Sequence, residues 1–165
     1  MLLELVPPEA DPLGPENVLV FATGPFQGTG LAGAGRHVVA GKSPKTGSIS
    51  DSYAGGFFGH ELGRSGYDGI IVRGRAEAPV YLLLYHGKAE LLEATDLWGK
   101  TTGEVEDSLR ARHPGARVAV IGPAGENLVL QACIVHDKTR AAGRPGFRAA
   151  GGSVSYTHLT LPTKA

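Results

Sequence analysis

Cysteine, methionine and tryptophan each occur once in the 165 residues, and that scarcity removes several chemistries at once. The single thiol, Cys133, permits no disulfide within the chain and cannot alone assemble a zinc or iron–sulfur site. Its apolar neighbours suggest a small buried hydrophobe. No apolar run approaches the ~20 residues of a membrane span. No secretory leader is visible, since Glu4 and the Pro7-Pro8 pair follow the start at once. The expected location is the cytoplasm, and neither a membrane nor a nucleic acid is expected as a partner. Net charge is also lacking, with 16 Lys+Arg against 16 Asp+Glu.

What is present is glycine, 25 residues, with 11 prolines and 42% apolar side chains. That apolar fraction supports one domain with a real core, while the glycines and prolines predict many turns and few, short helices. Charge is distributed unevenly. Acids crowd residues 4–16 and 90–107, yet none occurs between Asn17 and Ser50, where Arg36, Lys42 and Lys45 all fall. The stretch 24–59, GPFQGTGLAGAGRHVVAGKSPKTGSISDSYAGGFFG, therefore has two readings. Exposed backbone N–H groups in glycine turns, with a few fixed cations, make a concave surface for anions. The same composition also describes a set of glycine-rich hairpin turns.

Residues 1–17 read as a helix end running into a Pro-rich lead-in. Val18–Ala22 is expected as a strand buried on both faces, 37–40 and 69–73 as further strands, and 57–62 as a short helix. The sharpest local signal is 79–93, where His86-Gly87 joins two strands as a two-residue hairpin loop. Thr101 and Glu104 form a capping box that opens an amphipathic helix to about His113. Strands follow at 118–121 and along the apolar run 128–135, after a Gly-Pro-Ala-Gly turn. The expected class is α+β: layered, largely antiparallel sheets with few short helices. An echo between VLVFATGP leading to Gly35-Arg36 and VAVIGPAG leading to Gly143-Arg144 raises an internal pseudo-repeat, set against turn chemistry alone.

A second basic stretch, His136-Asp-Lys-Thr-Arg-Ala-Ala-Gly-Arg144, favours the anion reading, because beyond Asp137 there is no acid to the end. Arginine offers a planar fork of donors suited to phosphate. Neither stretch fits Gly-x-x-x-x-Gly-Lys-Ser/Thr or a strand-linked Gly-x-Gly-x-x-Gly. His37, His60, His86, His113 and His136 are scattered and show no ligand spacing. Glu61 and Asp68 read as surface or helix-terminal carboxylates, Trp98 as a core anchor, and Ser43 has no triad partners.

The motifs DPLGPENVLVFATGP, GKSPKTG, SDSYAGGFFGHEL, GYDGIIVRGRAEAPVYL, DLWGK, IGPAGENLV and RAAGR occur in this order. Together they resemble the N-terminal domain of the aldehyde ferredoxin oxidoreductase family over about residues 2–146. The resemblance implies an α+β base for a tungsten (or molybdenum) bis-pterin cofactor whose phosphates are bridged by magnesium. A 4Fe-4S cluster, ferredoxin and an aldehyde substrate belong to the rest of such an enzyme. It further implies cofactor-binding roles for Arg36, Tyr53, Gly55, Arg140, Ala141 and Gly143. Arg36 resembles the arginine lying between pterin and cluster, and Tyr53 and Ala141 would offer backbone carbonyls to magnesium. Tyr53 stands where many family members carry Asn. No catalytic residue is expected within this chain. The alternative is a stand-alone anion- or nucleotide-binding module without redox activity.

The expected organisation is a lead-in at 1–17, the cofactor base at 18–146, a degraded end at 147–153 and a foreign tail at 154–165. The string VSYTHLTLPT resembles a translated sequencing adapter, so 154–165 is expected to lie outside the fold.

Overall fold

Short apolar runs separated by glycine turns fold as two facing sheets in a computed structural model, which describes residues 2–143 and, as backbone, 156–162. The first sheet has the order β3-β2-β1-β4, built from β1 (Val18–Ala22), β2 (His37–Lys42), β3 (Ile49–Ala54) and β4 (Gly69–Arg73). β1 is central and pairs antiparallel with β2 and β4, Leu19 facing Gly41 on one side and Val72 on the other. This central position explains why Val18–Phe21 are buried without alternation.

The second sheet has the order β6-β5-β10-β7-β8-β9. Its members are β5 (Val80–Tyr85), β6 (Lys88–Glu93), β7 (Ala116–Val120), β8 (Ile134–His136), β9 (Arg140–Ala142) and β10 (Tyr156–Pro162). Only β5 and β10 run parallel. Both sheets contain one four-strand arrangement: β3-β2-β1-β4 matches β9-β8-β7-β10, with every pair antiparallel. The strand order thus repeats where the sequence echo begins, at β1 and β7. The Gly-Arg pairs are not equivalent in position: Arg36 precedes the second strand of its set, whereas Arg144 lies outside the described residues.

The main core lies between the sheets, where Leu19, Phe21 and Val39 meet Leu84, Ala119, Ile121 and Ile134 around Phe58 and Leu62 of helix α2 (Phe58–Arg64). A second cluster forms where Val105 and Leu109 of α3 (Thr102–Arg112) pack on Val118, Val120 and Leu83. Thr101 caps α3 with its hydroxyl and receives the Glu104 carboxylate in return. At the hairpin between β5 and β6, His86 (φ 48°) and Gly87 (φ 72°) supply the two left-handed residues of a type I′ turn. The lead-in is not loose. Val6 and Ala10 pack on Val18 and Val20, and Lys42 donates through Nζ to the carbonyls of Pro8 (2.5 Å) and Ala10 (2.7 Å).

Four local expectations differ from the structure. β3 and β9 are strands although SDSY and RAA carry too few apolar residues to signal one. Residues 128–133 are turns with Leu128–Leu130 exposed, so only 134–136 of the apolar run joins a sheet, and the Gly-Pro-Ala-Gly turn is a one-turn helix, α4 (Pro123–Glu126). Trp98 is 43% exposed rather than a core anchor. Glu61 lies in the first turn of α2, as a helix-terminal carboxylate, but is buried beside Arg64 (3.5 Å) instead of lying on the surface.

The tail differs most from its reading. Residues 156–162, expected outside the fold, fill the slot between β5 and β7, with Leu159 opposite both Leu82 and Ala119. Tyr156, Thr157 and Thr160 in YTHLTLP are of types that favour strands. Deleting 154–165 removes two ladders, each backbone bond being worth about 1 kcal/mol net. The melting temperature followed by circular dichroism is expected to fall by roughly 10 °C or more; an unchanged transition would return the tail to the outside of the fold.

Candidate cofactor seat

β3 and β9 are the edge strands of their sheets, and they lie against each other. Edge strands carry unpaired backbone N–H and C=O groups, so two rows of such groups converge along this line. The turn Gly55-Gly56-Phe57, leaving β3 for α2, sits at its end. A Cβ on Gly35 would come 3.4 Å from the Gly56 carbonyl, and one on Gly56 would come 3.1 Å from Arg140 Cγ. The turn therefore packs against both the loop that leads to Arg36 and the strand bearing Arg140. Both arginine side chains are exposed, and neither is paired with a carboxylate among the described residues.

Gly56 must be glycine. Its φ is +106°, and a Cβ would fall 2.6 Å from Asp137 Oδ2. Gly55 differs: a Cβ there would meet nothing within 4 Å, so the space before its backbone is open to a ligand. The Gln27 side-chain amide donates to the Arg36 carbonyl and fastens the end of that loop.

Beneath the turn lie two histidines, His37 at the start of β2 and His136 at the end of β8, with ring centroids 4.9 Å apart. Both are buried, and the Phe58 ring contacts them at 5.1 and 5.7 Å. Their nitrogens have no hydrogen-bond partner among the described residues; His136 Nδ1 approaches Asp137 Oδ2 at 3.5 Å, long for such a bond. Burial, reinforced by the neighbouring His136 and partly opposed by Asp137, pushes the His37 pKa down to about 3.

Asp137 ties the parts together. Its Oδ2 accepts from the Phe57 N–H (2.8 Å) and its Oδ1 lies 3.4 Å from Arg117 Nη1. Burial works to raise its pKa, but the His136 ring, the Phe57 N–H and Arg117 outweigh that and hold the carboxyl below its ordinary value. Arg117 also covers the Phe57 ring, with its guanidinium carbon 4.4 Å from the centroid.

The remaining candidate residues fall on the two facing edges. Tyr53 is on β3, opposite Val38, with its ring 62% exposed, so it does not pack beside Phe58. Ala141 is on β9, opposite Val135, and Gly143 follows that strand. Lys42 is engaged by the lead-in and offers no charge to this face. No group of three His, Cys, Asp or Glu side chains that could hold a metal exists among the described residues. A metal here would have to rely on backbone oxygens and on its own ligand. Two unpaired arginines, an open glycine backbone and two strand edges suit a polyanion, so the residues present fit a phosphate-bearing cofactor.

A family model described as aldehyde ferredoxin oxidoreductase, N-terminal domain, matches residues 1–155. The chain belongs to that family. It is 46% identical over 98% of its length to a tungsten-containing aldehyde ferredoxin oxidoreductase of Pyrococcus furiosus, and 45% identical over 93% to that of Thermococcus kodakarensis. It therefore spans about a quarter of those relatives, 27% and 26% of their lengths. Among solved structures, the active-site complex BamBC of benzoyl coenzyme A reductase superposes with a TM-score of 0.94 at 38% identity, covering 99% of this chain and 25% of that one. This family domain accounts for nearly the whole chain, which leaves the stand-alone binding module without support. No helix among the described residues is long and apolar enough to cross a membrane.

Sequence reading missed Arg117, the contact between His37 and His136, and the role of Asp137. Arg117 and the histidine contact carry no local signal, because each depends on strands far apart in sequence. Asp137 carried one: Asp137 (φ 47°) and Lys138 (φ 56°) are left-handed, and Asp before a polar residue is a turn signal.

Because His37 titrates near 6.5 when unfolded and near 3 when folded, its neutral burial stabilises the protein above about pH 6.5. That stability is lost as pH falls toward 3. A His37→Phe variant is expected to reduce the acid-side slope of unfolding free energy by up to about 1.4 kcal/mol per pH unit, measured by urea denaturation between pH 6.5 and 4. An identical slope would show that the ring is not held neutral.

Proposed function

We propose that this chain is the floor on which a tungsten or molybdenum bis-pterin cofactor rests in an enzyme oxidising aldehydes to carboxylic acids, with ferredoxin as electron acceptor. The observation that supports the reading is the packing of the Gly55–Gly56 turn, with open space before Gly55, against Gly35 and Arg140, in a chain of the aldehyde ferredoxin oxidoreductase family. When bound, the metal–pterin group takes up the two electrons released as aldehyde and water become carboxylic acid.

The chain's own residues bind and orient. Arg36 and Arg140 offset phosphate charge with forked donors, while Gly55 lets the ligand approach the main chain. Ala141 and Gly143 extend the contact along β9. The carbonyls of Tyr53, on β3, and Ala141, on β9, would hold a magnesium ion, a hard cation that prefers oxygen. A carbonyl does not depend on the side chain, so tyrosine at position 53 serves as well as asparagine. The 4Fe-4S cluster requires thiolates that Cys133 alone cannot provide, so it would be held by polypeptide outside this chain, which also supplies the aldehyde pocket and the ferredoxin contact.

Arg36→Ala and Arg140→Ala, made in the enzyme that carries this domain, are each expected to lower tungsten and pterin content. A charge-assisted hydrogen bond is worth about 1.5–3 kcal/mol, or roughly a tenfold to hundredfold weaker hold on the cofactor. Metal analysis and pterin fluorescence of the purified variants give the measurement, and full occupancy in both would sink the assignment.

A further inference from the structure

We propose that Asp137 is a positioning residue for this seat, clamping the Gly55–Phe57 turn against the Arg140 strand with Arg117 as its partner. The inference rests on the reading of the seat given above. Its geometry is local and complete. One carboxylate oxygen takes the Phe57 N–H at 2.8 Å, and the other faces Arg117 Nη1 at 3.4 Å. Arg117 in turn sits over the Phe57 ring, its guanidinium carbon 4.4 Å from the centroid. Phe57 is thus held twice, by its backbone through Asp137 and by its ring through Arg117. Nothing else among the described residues reaches its N–H, since Phe57 precedes the first turn of α2, where backbone donors lack helical partners.

The base of the clamp is itself fixed. The turn between β8 and β9 is anchored on α3, because the Lys138 N–H donates to Glu106 Oε2 (2.8 Å) and Lys138 Nζ meets Asp107 Oδ1 (2.6 Å). A carboxylate on a rigid turn, reaching a backbone donor 80 residues earlier, sets the distance between the two anion-facing segments. Gly56 is the corollary, since any side chain there would displace the carboxylate.

The test uses the 165-residue chain, nitrogen-15 labelled, with inorganic pyrophosphate as the probe. In Asp137→Ala the Phe57 amide is expected to exchange with solvent at least tenfold faster, and pyrophosphate affinity to fall about tenfold. Asp137→Asn keeps an acceptor oxygen and tolerates the left-handed backbone, so it is expected to recover much of both. Because Asn preserves the turn, it keeps the comparison valid if the alanine variant unfolds. A mere loss of stability would speed exchange at amides across α2 and β3 alike, whereas the clamp predicts an effect centred on Phe57. Unchanged Phe57 exchange, or unchanged pyrophosphate affinity once Phe57 is released, overturns the proposal. Failure of the unsubstituted chain to bind pyrophosphate overturns the seat itself and with it any positioning role, and that outcome is separately readable because it precedes any substitution.

Discussion

The Gly55–Phe58 turn sits over the buried ring of His37, which burial holds toward its neutral form. The ring touches His136 and Phe58, and its nitrogens have no hydrogen-bond partner among the described residues. A charged imidazole in that position would meet a large desolvation cost. Close approach is enforced from the helix side as well: a Cβ on Gly59 would fall 2.9 Å from His37 Cβ. Packing of this kind tolerates little change in volume. The turn above is therefore supported from the core as well as by the Asp137 carboxylate at the Phe57 N–H.

The repeated strand order gives each sheet an edge at an equivalent place, β3 in one and β9 in the other. An exposed edge is ordinarily a liability, because it can pair with another strand. Here the two edges lie against one another. Their sequences, ISDSYA and RAA, bury only small side chains, Ala54 and Ala142, in the core between the sheets, while Tyr53 and Ala141 stay exposed.

The same fact decides what the sequence could reveal. β1, β4, the β5–β6 hairpin and the capped helix α3 were legible because burial, turn chemistry and capping each leave a residue pattern at fixed spacing. β3 and β9 were not, since their inward positions hold Ser52, Ala54 and Ala142 instead of the large apolar residues that mark a strand. The apolar run 128–135 misled for the converse reason: Leu128–Leu130 are apolar yet exposed, so hydrophobicity there did not report burial. Of the site, the arginines and glycines stood out by composition. The residues that hold them in register, His37, Arg117 and Asp137, did so only through contacts between distant segments. The tail was read by what its letters resemble, whereas its residues 156–162 pair with both β5 and β7.

Electrostatics narrows the seat further. An aspartate beside a phosphate site would repel the ligand if its charge stood alone. Asp137 does not stand alone, because Arg117 lies beside it and the Phe57 N–H donates to it. His37 below contributes little field, since burial drives it toward its neutral form. Arg36 and Arg140 are exposed and unpaired with any carboxylate among the described residues. Under the proposed function, an incoming anion would meet their charge without first breaking an ion pair, while the compensated Asp137 carboxylate holds the turn.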